Sequence, residues 1–199
     1  AVAEGLALQR RFSPYSGFPG KGIRFCEELI LHAREHTRAV GRDAALDAFC
    51  TETGMPRRML DVRAPLDLAE VDGFFQRRLF GQPDALAVVS GLLATTKMGL
   101  ARAGKPIASL LLIGPTGVGK TETAKALAEF MFGDAQRMVR LDMSEYADPA
   151  AVLRLLGDLG GDEGVLVGAV RRQPFGVLLL DEIEKAHPSF FDLLLQVLG

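Results

Sequence analysis

Hydrophobic residues follow two different patterns along the chain, and the change falls near residue 80. The first part has the spacing of helices, interrupted by a cluster of turn residues at 13–20. After this cluster, apolar residues recur at intervals of three and four, at Ile23, Cys26, Leu29, Ile30 and Ala33. The spacing predicts an amphipathic helix that buries this face, and a shorter amphipathic helix is predicted between Leu66 and about Leu79.

From Gly81 onward, helical and strand patterns alternate, which is typical of an α/β domain with a parallel sheet. Short apolar runs predict three strands, at 107–113, 138–141 and 177–180, and the first is expected to be buried on both faces. Asp84 is expected to cap a helix that runs to about residue 102. Two further helices are predicted to end at 132 and at 172, and two more to run from 149 to about 157 and from 189 to 198. The last helix is apolar around most of its circumference and is expected to be buried on several sides.

Composition and charge narrow the function classes. The 199 residues are 48% hydrophobic with a net charge of −2, which excludes disordered and fibrous proteins. Basic and acidic residues are interspersed, so no basic stripe predicts a nucleic-acid or membrane-surface partner. Cys26 and Cys50 form no metal-ligand pattern and predict buried thiols in a reducing compartment, and the longest apolar stretch, 85–96, is too short to cross a membrane. We therefore expect a soluble, cytoplasmic chain without a signal peptide.

A glycine-rich motif lies between the first predicted strand and the helix that follows it. It matches the pattern G-x-x-x-x-G-K-[ST] in full and consists of Gly114, Pro115, Thr116, Gly117, Val118, Gly119, Lys120 and Thr121. Glycines let backbone N–H groups approach phosphate oxygens, and the N-terminus of the next helix favours anions. Lys120 is expected to reach the β and γ phosphates, and the Thr121 hydroxyl is expected to bind Mg²⁺. The motif therefore predicts a phosphate-binding loop.

Two carboxylates, Asp181 and Glu182, follow the third predicted strand. Ligands of parallel α/β sheets bind beyond the carboxyl ends of the strands, so this is a functional position. Downstream of a phosphate loop, the pair matches a Walker B element, in which Asp181 holds Mg²⁺ through its water shell and Glu182 polarises the attacking water.

Other polar residues allow two interpretations. Asp142, Ser144 and Glu145 follow the second predicted strand, where they either face the nucleotide or cap the next helix. His187 precedes a predicted helix start, which favours capping or packing over catalysis.

Three segments together resemble the second ATPase module of the Clp family of AAA+ unfoldases and disaggregases: GPTGVGKTETAKALAEFMFG, MVRLDMSEYADP and AVRRQPFGVLLLDEIEKAHPSFFDLLLQVL. The resemblance is continuous over 79–199, and within it Leu79, Phe80, Gly81 and Gln82 match the segment that borders the adenine. Residues 11–29 are more loosely similar to the end of the first module's small helical domain, with Pro19 and Lys21 matching and Arg24 departing. The resemblance implies a helical segment and linker at 1–78 and a partial nucleotide-binding core at 79–199.

The implied fold is α/β, the three-layer α/β/α core of a P-loop NTPase (AAA+) with a parallel sheet, incomplete in this chain and preceded by a helical segment. The implied cofactors are ATP and Mg²⁺, with Lys120 and Glu182 in catalysis and Thr121 and Asp181 at the metal. The implied function is ATP-driven unfolding, disaggregation or remodelling of proteins by a Clp-type subunit. The implied partners are unfolded or aggregated proteins, further copies in a homo-hexameric ring, and a peptidase.

Two departures from the family pattern change these expectations. Residues 158–164 stand where the family has a longer loop with an aromatic residue, and Leu159 is the apolar residue of that stretch, so we expect weaker or altered pulling on a substrate. After Leu198 the family continues with further strands, sensor residues, an arginine finger and a small helical domain. In the AAA+ strand order 5-1-4-3-2, the first and third strands of this chain lack the strand between them. We expect a fragment or a truncated gene product, which binds nucleotide but hydrolyses it poorly alone.

Two alternative functions stay open at this point. Another P-loop motor, such as a nucleic-acid helicase or loader, would be stimulated by DNA or RNA rather than by unfolded protein. A truncated, non-enzymatic product would bind nucleotide or parent subunits without turnover.

Overall fold

The computed structural model describes residues 1–12, 19–35, 39–98, 105–115, 117–157 and 163–198. The chain divides into two compact units, residues 1–108 and 109–199. The predicted boundary between a helical segment at 1–78 and a nucleotide-binding core at 79–199 was drawn from the family resemblance, and it stays a prediction. Most of the predicted turn cluster at 13–20 lies outside the described residues, as does most of the loop at 158–164.

The described part of the first unit is helical. Its elements are α1 (Val2–Phe12), α2 (Gly20–Glu35), α3 (Arg42–Thr53), α4 (Arg57–Leu60), α5 (Leu68–Gln76) and α6 (Pro83–Lys97). Helices α1, α2 and α3 pack on one another, and α5 packs on α6. Asp67 caps α5 by accepting the backbone N–H groups of Ala69 and Glu70. The predicted cap of α6 is wrong, because Gln82 is the N-cap and Asp84 lies in the first turn after Pro83.

The buried face of α2 differs from the predicted face. Phe25, Leu29 and Ala33 are buried, whereas Ile23 and Ile30 are 55% and 46% exposed. The ring of Phe25 decides the orientation, because it packs edge-on against Phe49 of α3 with ring centroids 6.1 Å apart. It also lies over Gly5 of α1, where a Cβ atom would come within 2.0 Å of the ring. Burying one large aromatic ring thus outweighs burying the aliphatic stripe that the spacing had favoured.

Charged side chains connect the ends of several helices in the first unit. Lys97, which is only 7% exposed, donates from Nζ to the carbonyl oxygens of Arg58 and Asp61. The Asp61 carboxylate in turn accepts a hydrogen bond of 2.6 Å from Arg42, and Arg11 donates to the carbonyl oxygens of Thr96 and Lys97. These contacts satisfy a buried ammonium group and the last carbonyl groups of α6, which would otherwise be costly to bury.

The second unit contains a parallel pair of strands, β1 (Met138–Asp142) and β2 (Val177–Asp181). The register runs from Met138 opposite Val177 to Asp142 opposite Asp181. The helices of this unit are α7 (Lys120–Phe132), α8 (Pro149–Leu156), α9 (Val165–Arg172) and α10 (Pro188–Leu198). Helix α7 packs against both strands, and its predicted bounds are confirmed, with Gly133 in the left-handed conformation at its C-cap.

The buried core of the second unit lies between β1, the helices α8 and α10, and the turns beside them. It comprises Leu141, Met143, Tyr146, Ala151, Val152, Leu155, Ala186 and Phe190. A backbone hydrogen bond of 2.9 Å from His187 to the Tyr146 carbonyl oxygen joins the segments that follow the two strands. The strands, the turns after them and α8 thus hold the carboxyl ends of β1 and β2 in a defined position.

Two predictions about buried apolar surface in the second half of the chain are wrong. Residues 107–113 form no strand, and Leu111 and Ile113 are 72% and 86% exposed. A strand forms only when a neighbouring strand takes up its backbone hydrogen bonds, and among the described residues β1 and β2 pair only with each other. Helix α10 buries Phe190 but leaves Leu195 71% exposed, so it is not covered on several sides. Among the described helices, none has the length and hydropathy needed to span a membrane.

Candidate functional site

The phosphate loop ends at the N-terminus of α7. Gly119 is the N-cap, with φ 98°, and Gly117 has φ 87°, a region that favours glycine. No side chain caps this helix end. The N–H groups of the first turn therefore remain free to bind an anion, and the helix dipole adds to the attraction. Thr116, also predicted to contact phosphate, lies outside the described residues.

Lys120 occupies the first position of α7 and folds back over the loop. Its Nζ atom donates to the carbonyl oxygens of Gly114 and Pro115 over 2.7 and 2.8 Å. The ammonium group therefore lies within the loop whose bound phosphates it is predicted to contact. A bound phosphate oxygen would offer a stronger, charge-assisted partner than these neutral carbonyl groups. Thr121 follows Lys120 on the same helix turn and is half-buried, and Val118 is 36% exposed.

The two acidic residues of the predicted Walker B element lie where β2 ends. Asp181 is the last residue of β2, and its Oδ2 atom accepts a hydrogen bond of 2.7 Å from Arg140 of β1. Glu182 has φ 53°, the single positive φ among the described residues other than glycine. Its Oε2 atom accepts a hydrogen bond of 2.6 Å from Lys185, which raises the pKa of the Lys185 ammonium group. Each acid therefore has a basic partner in this structure.

The donor set at this edge of the sheet fits Mg²⁺. The Thr121 hydroxyl and the Asp181 carboxylate supply hard oxygen ligands, on a helix and a strand that pack together. In the part of the chain that the structure describes, no group of three or more His, Cys, Asp or Glu residues could hold a metal ion alone.

Neighbouring polar residues act as caps. Asp142 accepts hydrogen bonds from the Ser144 hydroxyl and backbone N–H, at 2.6 and 3.0 Å, and these bonds lower the pKa of its carboxyl group. The Nδ1 atom of His187 lies 2.8 Å from the Ser189 hydroxyl and accepts the Ser189 backbone N–H at the start of α10. The capping interpretation of His187 is thereby confirmed. Asp142 caps the short turn at Met143–Tyr146, whereas the N-cap of α8 is Asp148.

Two further predicted site residues, which are assigned to the adenine, belong to the first unit. Phe80 is 81% exposed and Gly81 has φ 69°. Their assignment to the adenine stays a prediction. Leu159 lies outside the described residues, but Gly157 and Glu163 form an antiparallel bridge on either side of its loop.

Sequence reasoning missed the two basic partners, Arg140 and Lys185. A signal for Arg140 was present, because residues two apart in a strand share a face, which places Arg140 and Asp142 together. Lys185 follows Glu182 by three residues, a spacing at which a short helical turn brings side chains together. The partner of Arg140, by contrast, depends on the register between β1 and β2.

The chain is similar to known proteins over most of its length. Residues 105–199 match the family model described as AAA domain (Cdc48 subfamily). Chaperone protein ClpB of Corynebacterium diphtheriae is 43% identical, over 86% of this chain and 22% of the relative. ClpB of Streptomyces albus G is 46% identical over 80% of this chain and 19% of the relative. Chloroplastic chaperone protein ClpC4 of Oryza sativa is 45% identical, over 80% and 18% respectively.

A solved structure gives the same result for the fold. The closed-state cryo-EM reconstruction of Hsp104 with ATPγS and FITC casein has a TM-score of 0.77 and 31% identity, covering 98% of this chain and 35% of that chain. The predicted class, part of an AAA+ P-loop NTPase fold, is confirmed. This chain spans about a fifth of the length of the curated relatives it matches. Over 80–86% of its length the chain is similar to ClpB chaperones, and its residues 105–199 match the AAA domain.

Proposed function

We propose that the phosphate loop of this chain binds ATP with Mg²⁺, and that the full-length protein hydrolyses ATP to unfold, disaggregate or remodel other proteins. The observation that carries this proposal is Lys120 at the uncapped N-terminus of α7, with its ammonium group inside the loop. The names of the relatives support it, since they are chaperones, and one solved relative was studied with ATPγS and casein.

Each residue has a role in this proposal. Lys120 exchanges the carbonyl groups of Gly114 and Pro115 for phosphate oxygens, and Thr121 and Asp181 hold Mg²⁺, which neutralises charge on the phosphates. Glu182 holds and polarises the attacking water. Phe80 and Gly81 border the adenine. From the family resemblance we further propose a homo-hexameric ring, an unfolded or aggregated protein substrate, a peptidase partner and a place in the cytoplasm.

Nucleotide binding by the chain itself is the direct test. Titration with a fluorescent ATP analogue should give saturable binding, and Lys120→Ala should weaken it by about 10- to 100-fold, because one charge-assisted hydrogen bond contributes about 1.5–3 kcal/mol. The matched control is Lys125→Ala, which removes the same charge from an exposed position on the same helix. Equal affinities of wild type and Lys120→Ala would contradict the proposal.

A second measurement separates this function from that of a nucleic-acid motor. ATP hydrolysis by the full-length protein should rise on addition of unfolded casein and not on addition of single-stranded DNA. The reverse result would favour a helicase or loader, and binding without hydrolysis under both conditions would favour a non-enzymatic product.

A further inference from the structure

The ion pair between Arg140 and Asp181 joins two adjacent parallel strands. The register places Arg140 opposite Leu179. Asp181 is two residues further along β2 and therefore lies on the same face of the sheet as Leu179 and Arg140. The guanidinium Nη2 atom donates to Asp181 Oδ2 over 2.7 Å. One of the two oxygens of the proposed metal ligand is therefore occupied by a cation of the chain itself.

The position of this pair matters more than its contribution to stability. The side chain of Arg140 is 54% exposed and that of Asp181 is 21% exposed. Exposed ion pairs of this kind contribute little to folding, so loss of Arg140 should leave the second unit folded. The electrostatic effect on a second cation at Asp181 is direct, because both cations would share the same carboxylate.

The other charged groups near Asp181 have partners of their own, and Arg140 is the basic residue that contacts Asp181. Asp142, the register partner of Asp181, accepts its hydrogen bonds from Ser144. Lys185 donates to Glu182 and acts on Asp142 through its charge. Glu184 also acts on Lys185 through its charge, and Arg140 acts in the same way on Asp142. Among the described residues, the ion pair of Asp181 is with Arg140.

We propose that Arg140 is a positioning residue that competes with Mg²⁺ for Asp181 and so sets the Mg²⁺ concentration at which nucleotide binding tightens. This inference rests on the proposed function of the same site. Binding of Mg²⁺ at Asp181 would require the guanidinium to release Oδ2 or to share the carboxylate, and both would cost free energy. A chain with an uncharged residue at position 140 avoids this cost.

The size of the effect follows from the ion pair. A contribution of about 0.4–1 kcal/mol corresponds to about a two- to fivefold change in an equilibrium constant. Arg140→Met should therefore lower the Mg²⁺ midpoint for tight binding of the fluorescent ATP analogue by about two- to fivefold. Arg140→Lys, which keeps the charge, should stay close to wild type.

The control is Arg137→Met, which removes the same charge just before the opposite end of β1, about 10 Å from Arg140 along an extended strand. Binding of the analogue is measured at fixed nucleotide from EDTA through a Mg²⁺ series, with circular dichroism of each variant as the check on folding. Should Arg140→Met fail to fold, Arg140→Gln serves as the second uncharged variant.

The outcomes separate the two proposals. A lower Mg²⁺ midpoint in Arg140→Met or Arg140→Gln, with Arg140→Lys and Arg137→Met unchanged, supports competition at Asp181. An unchanged or higher midpoint in the uncharged variants, or an equal shift in Arg137→Met, overturns it. Absence of analogue binding in the wild-type chain, with and without Mg²⁺, contradicts the proposed function itself.

Discussion

Asp142 and Asp181 are register partners at the carboxyl ends of β1 and β2, so two carboxylates lie side by side at one edge of the sheet. Like charges directly opposite each other destabilise a pair of strands. Here Ser144 donates two hydrogen bonds to Asp142, and Arg140 donates one to Asp181. This edge therefore places carboxylate oxygens where parallel sheets bind their ligands, and such oxygens suit a divalent cation.

Glu182→Gln should separate nucleotide binding from turnover in the full-length protein. Glutamine keeps the size of the side chain but cannot accept a proton, so ATP should bind with nearly unchanged affinity while kcat falls by about 10²- to 10⁴-fold. Affinity is measured with the fluorescent analogue and turnover by phosphate release. Normal turnover in the Glu182→Gln protein would refute the assignment of Glu182 as the base.

Glu182→Gly should leave the second unit more stable than Glu182→Ala does, while both changes remove activity. A residue with a Cβ atom at φ 53° costs about 1–2 kcal/mol relative to ordinary backbone conformations, and glycine avoids most of this cost. We expect a higher free energy of unfolding for Glu182→Gly than for Glu182→Ala, by about 1 kcal/mol, in urea titrations. The alanine variant is the matched control, since it loses the same carboxylate but keeps the strain. Equal stability of the two variants would count against strain at this position.

Gly164→Ala should disrupt the junction between α8 and α9. A Cβ atom at position 164 would lie 2.1 Å from the Leu156 carbonyl carbon and 2.2 Å from the Gly157 nitrogen, and neither backbone atom can move cheaply. We expect a loss of about 1–3 kcal/mol in the free energy of unfolding. The control is Gly91→Ala on α6, where a Cβ atom meets nothing within 4 Å. A melting temperature of Gly164→Ala equal to that of wild type would show that this close approach is absent.

The lowered pKa of Asp61 predicts that the stability of the first unit depends on pH. The hydrogen bond from Arg42, together with one from the Arg63 backbone N–H, lowers the pKa of Asp61 to about 2. Because this pKa lies below the usual value of about 3.9, the carboxylate stabilises the fold above about pH 4, and the contribution is lost as the pH falls towards 2. Asp61→Asn should therefore cost about 1–2 kcal/mol at pH 7 and little near pH 2.

Urea unfolding from pH 2 to pH 7 measures this difference, followed by the helical signal in circular dichroism. Asp84→Asn, an exposed change of the same charge, is the control and should stay close to wild type throughout. A constant difference between wild type and Asp61→Asn across this range would contradict the role of the Arg42 hydrogen bond.

Much of the second unit could be predicted because its information is local. The spacing of apolar residues predicts β1, β2 and α7 to within a few residues, and the glycine positions of the phosphate loop have the φ values that the motif requires. These features depend on contiguous residues, whose backbone conformations are restricted by neighbours in sequence. The family resemblance then added roles for Asp181 and Glu182 that still await measurement.

Other features depended on residues far apart in sequence. The buried face of α2 follows from Phe25 against Gly5 and Phe49, and no periodicity within α2 contains that contact. The run at 107–113 has the composition of a buried strand, but a strand also needs a partner, and β1 and β2 provide none for it.

The sequence by itself determined which residues carry the chemistry of this protein: the phosphate loop with Lys120, and the acidic pair at the end of an apolar strand. Only the tertiary structure decided what those residues touch. The register of β1 against β2 joins Arg140 to Asp181, and a tight turn places Glu182 at φ 53° beside Lys185. The physical reason is that residue types and local spacing are properties of the chain, whereas the Arg140–Asp181 ion pair forms only when two strands distant in sequence pair in one register.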